Sequence, residues 1–460
     1  MAGTGATLSL NAIGMQDTIL MDIKPDDYTN SFFNYRPVQC TNATICYRSH
    51  IKYNNGSDNW PFGQDIRFEL NPKSSGDLLA NAFLKCTLPA LTGDDAYCYQ
   101  VGQAMIKELK LIVDDTTLET IPGDWLFIHD ELYSTDTENF AMQFLANDGN
   151  YRDVIPDASQ PINIYIPLPF LFSRTRTRIP GSWDYNVTTD ITDEDNIQYK
   201  PYFYLCAATR QRVTIQVSLN PVTFFSNATT SVSLSDISLI TEEIVLTEEE
   251  RNFYMNNRQM IICNTITRQP VLRLDNGEGV KNSNVAITPG CKPTFRNFLT
   301  VNTPVKAFHF FIRNQDFENS SDSSEFLNRY NFSSNVTSSN IFLESQYQSL
   351  SDAHIFIDGN KQLGFMKTSN AGSNYYKFVQ PYQHNLRVPD RNIYTYSFAL
   401  NPKDPNPTGS LDFSLLTSSK TSLDGDMRAG TTSNSYNLHM YYLGYKIIGF
   451  DKGYSGLLFA

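Results

Sequence analysis

Six histidines, seven cysteines and several carboxylate pairs are the residues of this 460-residue chain that could do chemistry. The densest group is His129-Asp130-Glu131, close behind Trp125. General acid–base work and metal binding both need side chains that converge on one point. Trp125, Ile128, Leu132 and Tyr133 follow helical spacing, which predicts a helix over Asp124 to Tyr133 and a second short one over Phe140 to Leu145. Adjacent residues on a helix diverge, so the trio cannot share a substrate or an ion. It reads as part of a half-exposed packing helix. Asp26-Asp27, Asp94-Asp95, Asp114-Asp115 and Glu242-Glu243 are sequence neighbours, whereas glycoside hydrolysis needs two carboxylates facing each other across a cleft. Asp114-Asp115, at a strand end before Thr116, reads as a turn.

His50, His309, His354, His384 and His439 are far apart in sequence. Cys40, Cys46, Cys86, Cys98, Cys206, Cys263 and Cys291 form no C-x-x-C pair, and no histidine stands at zinc-ligand spacing from them. They read as buried reduced thiols. The phosphate-cradling G-x-x-x-x-G-K-[ST], the dinucleotide G-x-G-x-x-G, H-E-x-x-H and G-x-S-x-G are all absent. No catalytic, cofactor-binding or metal-ligating residue is expected. Seven N-x-[ST] sequons occur, a number that a chain rich in Asn, Ser and Thr reaches by chance. Three crowd one polar stretch, at Asn319, Asn331 and Asn335, and these are the candidate glycan acceptors, expected on the surface.

A net charge of −12, with no basic run, argues against direct nucleic-acid binding, which needs Lys and Arg to displace phosphate counterions. The length suits two domains of roughly 200 residues each. Hydrophobic residues at 41% can fill two cores, and the 13% aromatic share leans towards β-structure. The apolar start lacks a charged region before Lys24, and Ile164 to Phe172 is too short and proline-broken to span a bilayer. A soluble protein, insoluble only through assembly, is the expectation.

Period-two alternation is the main structural signal. Ile66, Phe68 and Leu70 share one face in DIRFELN; Val213, Ile215, Val217 and Leu219 do so in RVTIQVSLN. Tyr394, Tyr396, Phe398 and Leu400 are expected to share a face in NIYTYSFAL. Such half-buried strands belong to antiparallel sheets packed face to face. Just past mid-chain, Thr247 and Glu250 predict a capping box at a helix start, and that helix reads as a connector between two β-domains. The bland alternative is a surface turn within one domain. Pro167 and Pro169 remove amide donors from one lateral side of INIYIPLPF, so that strand is expected at a sheet edge. Polar stretches at 181–198, 316–340 and 414–434 read as long surface loops.

LNAIGMQDTIL carries Gly14, Gln16 and Asp17 behind a small apolar patch, and SFFNYRPVQCTN follows. Next come FGQDIRFELNPKSSGDLLANAFLKCTLPAL, with Gly76, Asp77, Leu88 and Pro89, and VGQAMIKELKLIVDDTTLETIPGDWLFIHDEL, with Trp125, Leu126, Glu131 and Leu132. IYIPLPFLFSR runs from Ile164 to Arg174; IYTYSFALNPKDPNPTGSLDFS holds Tyr396 to Pro402 and Pro407 to Gly409; YYLGYKIIGFDKGYSGLLFA closes the chain. In this order and spacing the segments resemble the major capsid proteins of nucleocytoplasmic large DNA viruses, of the iridovirus and phycodnavirus type. The chain departs from that pattern in a partly acidic insertion from Thr175 to Lys200, and in Thr408 and Asp412 at the turn.

The resemblance implies an all-β fold of two tandem eight-stranded antiparallel jelly rolls, a double jelly roll with a few short helices in loops. It implies an N-terminal arm at 1–27, a first roll at 28–247, a helical connector at 248–257 and a second roll at 258–460. It also implies a non-enzymatic major capsid protein that forms homotrimers of pseudo-hexagonal outline, tiling an icosahedral virion shell assembled in the host cytoplasm. Its partners would be neighbouring capsomers, penton and minor capsid proteins, with an internal viral membrane close by. A double jelly-roll scaffold that is shed before maturation is one rival, and a jelly-roll carbohydrate-binding protein is another.

Overall fold

The computed structural model describes residues 42–52, 59–72, 76–93, 95–147, 159–173, 202–228, 232–274, 294–319, 323–333, 348–361, 369–405, 407–428 and 435–458. The proposed arm at 1–27, the stretch 181–198, Asn335, Cys40 and Cys291 lie outside them. Alternation becomes strand as expected: Ile66, Phe68 and Leu70 are fully buried while Asp65 and Arg67 face solvent. Eight principal strands build the first half: β1 (Ala43–Ile51), β2 (Asp65–Leu70), β3 (Leu78–Leu88), β4 (Ile106–Val113), β5 (Thr116–Pro122), β6 (Ile162–Pro167), β7 (Val213–Leu219) and β8 (Ser233–Leu246). Eight more build the second: β9 (Gln259–Arg268), β10 (Thr294–Phe298), β11 (Pro304–Asn314), β12 (Leu350–Ile357), β13 (Asn360–Lys361), β14 (Tyr394–Ser397), β15 (Ser422–Met427) and β16 (Tyr436–Asp451).

The first half pairs as β1-β8-β3-β6 and β2-β7-β4-β5, all antiparallel. Leu84, Cys86, Ile164 and Leu239 of one sheet meet Phe68, Leu109, Ile215 and Val217 of the other in a shared core. The second half pairs as β9-β16-β11-β14 and β10-β15-β12-β13. Adding eight to every label of the first half gives the second, so the chain repeats one topology twice. Strands that wrap alternately between two four-stranded sheets in this order make a jelly roll, and the fold is a double jelly roll.

β6 is an edge strand, paired to β3 alone among the described residues. The Leu168 amide donates to Ala82 O at 2.9 Å, towards β3. Successive amides point to opposite sides, so the nitrogen of Pro167 faces the open edge, where a missing donor costs nothing. β14 behaves differently from its sequence pattern. Phe398 and Ala399 amides both donate to Lys306 O, at 2.7 and 3.0 Å. That irregularity ends the alternation, and Leu400 is turned outwards, 79% exposed.

Helices α1 (Val101–Ala104), α2 (Gly123–Leu132) and α3 (Asp136–Ala146) decorate the first roll, and α4 (Glu248–Asn256) joins β8 to β9. α2 is not half-exposed: Trp125, Leu126, Phe127, Ile128, Asp130, Glu131 and Leu132 are all buried. A Cβ at Gly123 would overlap the Ile106 carbonyl oxygen, so only glycine can start this helix against β4. The capping box expected at α4 does not form. Thr247 occupies the N-cap, but its hydroxyl makes no cap bond, because Glu250 is drawn fully inside towards the Tyr254 hydroxyl. Arg251 fixes α4 to the first roll instead, gripping Asp77 at 2.6 and 3.0 Å. The reciprocal box sits at α3, between Thr135 and Glu138.

Two expected surface loops are also corrected. Within 316–340, Phe317, Phe326, Tyr330 and Phe332 are buried anchors, so the described part of this stretch packs inwards. Within 414–434 lies β15, an inner strand of its sheet, paired to β10 and β12. Its SLDGDM sequence looks like a turn because Gly425 is there for another reason: a Cβ would overlap the Phe295 ring on β10. Gly425→Ala is expected to lower unfolding stability by about 1–3 kcal/mol, as overpacking does. Adding Phe295→Leu should recover much of the loss in chemical denaturation; an unchanged double mutant would refute the clash.

Candidate functional site

The two rolls meet through β11 and β16, which are buried on both faces. Phe308, Phe310 and Ile312 turn into the second roll's own core, with Leu438, Met440 and Tyr442. Phe311, Tyr441 and Leu443 turn the other way and join the first roll's core with Ile261, Cys263 and Ile448. Helix α2 is the wedge in this junction. The Trp125 ring, 1% exposed, lies 5.6 Å from His309 and 6.1 Å from Tyr441, centroid to centroid. Phe127 stacks on Tyr330 at 4.1 Å. His309 is bonded to the Tyr133 hydroxyl at 2.8 Å and to Thr395 Oγ1 at 2.9 Å, and burial lowers it to about 3, so it stays neutral.

At the start of α2 the junction turns ionic. Arg313 on β11, with its side chain 4% exposed, reaches Asp124 of the first roll at 3.2 Å and Glu318 of the second at 3.0 Å. The Tyr441 hydroxyl also donates to Asp124 (3.1 Å), and Asn437 donates to Glu318 (2.8 Å). Burial alone would raise both carboxyls. The positive Arg313 outweighs it, holding Asp124 well below the usual carboxylate range and Glu318 down to about 2. Burial lowers His439, so its ring is neutral. Its Nε2 then donates to Glu318 while Nδ1 accepts from Arg268 at 3.4 Å. Arg329, 1% exposed, sews the rolls together through Phe224 O and Thr223 O on one side and Phe317 O on the other. A cavity of about 190 Å³ remains here, lined in part by Asp124, Arg268, Arg313 and Glu318.

The other end of α2 is clamped by Arg387. Its amide donates to Leu132 O (2.9 Å), and its guanidinium lies 3.1 Å from Asp136 and 3.7 Å from Glu131. A cation at a helix C-terminus also complements the macrodipole. Glu131 further accepts the Asp390 amide at 2.8 Å. Asp130 instead faces Asn139 of α3, 3.1 Å away. Burial and the nearby Glu131 push Asp130 up to about 7. The trio therefore splits as expected: His129 stacks on Tyr133, and the two carboxylates serve different partners.

No group of three metal-ligating side chains occurs among the described residues. Asp114 sits at the β4–β5 turn with φ +52° and accepts the Arg212 amide at 2.8 Å. Glu242 and Glu243 point to different neighbours: Asn81 for Glu242 (2.7 Å), the Thr241 hydroxyl for Glu243 (2.8 Å). None of the described cysteines, Cys46, Cys86, Cys98, Cys206 and Cys263, is in a disulfide. An open cleft of about 780 Å³ lies beside Glu69, Asp114, Arg210 and Arg212, where Arg212 and Glu69 pair with each other at 3.3 Å. Among the sequons, Asn319 is exposed, but Asn331 is 2% exposed. Its side-chain oxygen accepts the Ser333 amide and hydroxyl, at 3.0 and 2.7 Å, so the surface placement expected of Asn331 is wrong. The sequence patterns did not disclose the Asp124–Arg313–Glu318 network, since its outermost members, Asp124 and Glu318, are 194 positions apart.

A family model described as "Large eukaryotic DNA virus major capsid protein" matches residues 206–456, more than half of the chain, and one described as "Major capsid protein N-terminus" matches 49–180. The major capsid protein of Trichoplusia ni ascovirus 2c is 23% identical over 413 residues, covering 85% of this chain and 79% of the relative. That of Phaeocystis pouchetii virus is 33% identical over 86 residues, covering 19% of this chain and only 16% of the relative. The chain thus spans about a sixth of the length of this first relative. The solved PBCV-1 virus capsid subunit superposes with TM-score 0.68 at 17% identity, covering 94% of this chain and all (100%) of that one. That likeness is one of fold.

Arg313→Leu leaves two buried carboxylates without their cation and is expected to cost about 3–5 kcal/mol in denaturant unfolding. Because Glu318 is depressed to about 2, its contribution is present above the unfolded value of about 4.3 and is lost as pH falls from there towards 2. Arg313→Leu should flatten that acid slope. Asp130 has the opposite sign: raised to about 7, it favours the fold at low pH and weakens it as pH rises through 7. Asp130→Asn should therefore gain stability over the parent at pH 8 and little at pH 4. Equal pH profiles for parent and variant would overturn this assignment.

Proposed function

Because this chain belongs to the family of large eukaryotic DNA virus major capsid proteins, we propose that it is a structural shell subunit whose working unit is a homotrimer. The observation that carries the reading is the repeated jelly roll locked by a buried inter-roll network. Two sandwiches of one topology, held rigidly side by side, give six similar units when three copies close around an axis. A ring of six has the pseudo-hexagonal outline that tiles a shell with neighbouring capsomers. Rigidity matters here, since a hinge between rolls would blur the tiling angles.

The domain limits follow the same logic: a first roll at 28–247, the α4 connector at 248–257 and a second roll at 258–460, with residues 1–27 as an arm beneath the shell. The subunit works by contact and catalyses nothing, a reading supported by carboxylates and histidines that are spent on packing. Penton and minor capsid proteins are its further partners, and an internal membrane lies near. Assembly takes place in the host cytoplasm, which suits a chain whose described cysteines form no disulfide. The net charge of −12 supports a shell that does not touch the genome directly. If a glycan is carried on the 316–340 stretch, Asn319 is the exposed described position for it.

Light scattering on the purified chain is expected to give three times its 52.2 kDa mass. A monomer that persists at high concentration would sink the reading.

A further inference from the structure

Helix α3 is built inside out. Asn139, Met142, Gln143 and Ala146 face the interior, at i, i+3, i+4 and i+7. Thr137, Phe140, Ala141 and Phe144 repeat that spacing on the outer face, and all are exposed. Such spacing is the signature of a helix face that packs against something. Phe140 and Phe144 are 56% and 57% exposed, and their rings meet edge to face at 5.1 Å. Meanwhile both side-chain polar atoms of Gln143 are buried with no hydrogen-bond partner. A helix folding for the monomer's benefit would rotate by half a turn, burying the phenylalanines and releasing the glutamine. The capping box at Thr135 and the ion pair of Asp136 with Arg387 hold it in the costly orientation.

The surroundings extend the stripe. Arg387 belongs to the second roll, and Tyr382 just before it is 82% exposed. His384 lies 3.2 Å from the carbonyl oxygen of Leu400, which is 79% exposed. The second roll thus also exposes large apolar side chains, on the segment whose Arg387 pairs with Asp136 at the start of α3 and on the Leu400 turn bonded to it. A few such residues form a hot spot, and they fall short of the roughly 800 Å² per partner that a stable contact buries, so the partner must be broad.

We propose that the outward stripe of α3, centred on Phe140 and Phe144, docks against a second copy of this chain inside the oligomer. This rests on the shell-subunit reading and names the surface through which its copies meet. Two features favour a protein occupant over lipid: α3 contains no basic residue, and its first turn carries Asp136 and Glu138, which an anionic bilayer repels. In a closed three-fold ring the contact is head to tail, so the stripe of each copy meets a different surface on the next.

The test compares full-length parent, F140D/F144D and the conservative F140L/F144L by light scattering over a concentration series. Circular dichroism and melting of each variant report the fold, which exposed positions should leave unchanged. The parent and the leucine variant are expected at three chains, with the aspartate variant shifted to monomer or dissociating at a concentration at least about tenfold higher. An aspartate variant as stably trimeric as the parent overturns the inference while leaving the shell-subunit reading standing. A monomeric parent overturns both. Parent binding to anionic phospholipid vesicles that the aspartate variant loses, with oligomer size unaffected, overturns it in favour of a lipid surface.

Discussion

A single guanidinium, buried between carboxylates from opposite halves of the chain, sets the terms for the rest of this molecule. Arg313 can stay charged in the interior only because Asp124 and Glu318 arrive from two sides. Each carboxylate is in turn held by a further donor, Tyr441 or Asn437. A network of this kind contributes little net stability over a well-packed apolar alternative, but it tolerates one geometry only. The rolls are thus held in register as well as in contact. Apolar burial along β11 and β16 supplies the adhesion, and the ions supply the alignment.

How a jelly roll is repeated yet joined asymmetrically follows from the same place. The topologies of the two halves coincide strand for strand. What differs is how the passage between the fifth and sixth strands is used: in the first roll, between β5 and β6, it holds α2 and α3, and in the second, between β13 and β14, it holds a helical run from Ser369 to Gln383. In the first roll this passage supplies the wedge. The second supplies the surface that receives it, and its sheet therefore needs apolar residues on both faces. FHFFI in β11 is the sequence trace of that double burial.

Strand existence was legible wherever one face was wet, because alternation then survives in the residues. β2 is a case of this kind, and in β7 the alternation survives because the second face is polar although Gln216 and Ser218 are buried. β14 was legible only as far as Ser397, since a bulge made by two amides sharing Lys306 O leaves no mark on the sequence. β15 was hidden because its glycine serves a ring on the neighbouring strand and mimics a turn. The buried part of the 316–340 stretch was hidden by polar neighbours that dilute Phe317, Phe326, Tyr330 and Phe332. At α4 the start was right and the chemistry wrong: Thr and Glu at capping spacing compete with any interior hydroxyl that wants the carboxylate. Long-range ion networks have no local signature at all, and the junction could be found only in three dimensions.

The proline that closes β6 bears on a different matter, the choice between two ways for a concentrated β-protein to polymerise. A chain made in large amounts with open sheet edges can grow by adding strands sideways, a route that is local, fast and hard to reverse. Pro167 places a ring where the next strand would need a donor, and does so on the outermost strand of a four-strand path. Growth through folded side-chain surfaces stays open while growth through naked backbone is obstructed at that edge. One imino acid thereby favours a lattice over a fibril.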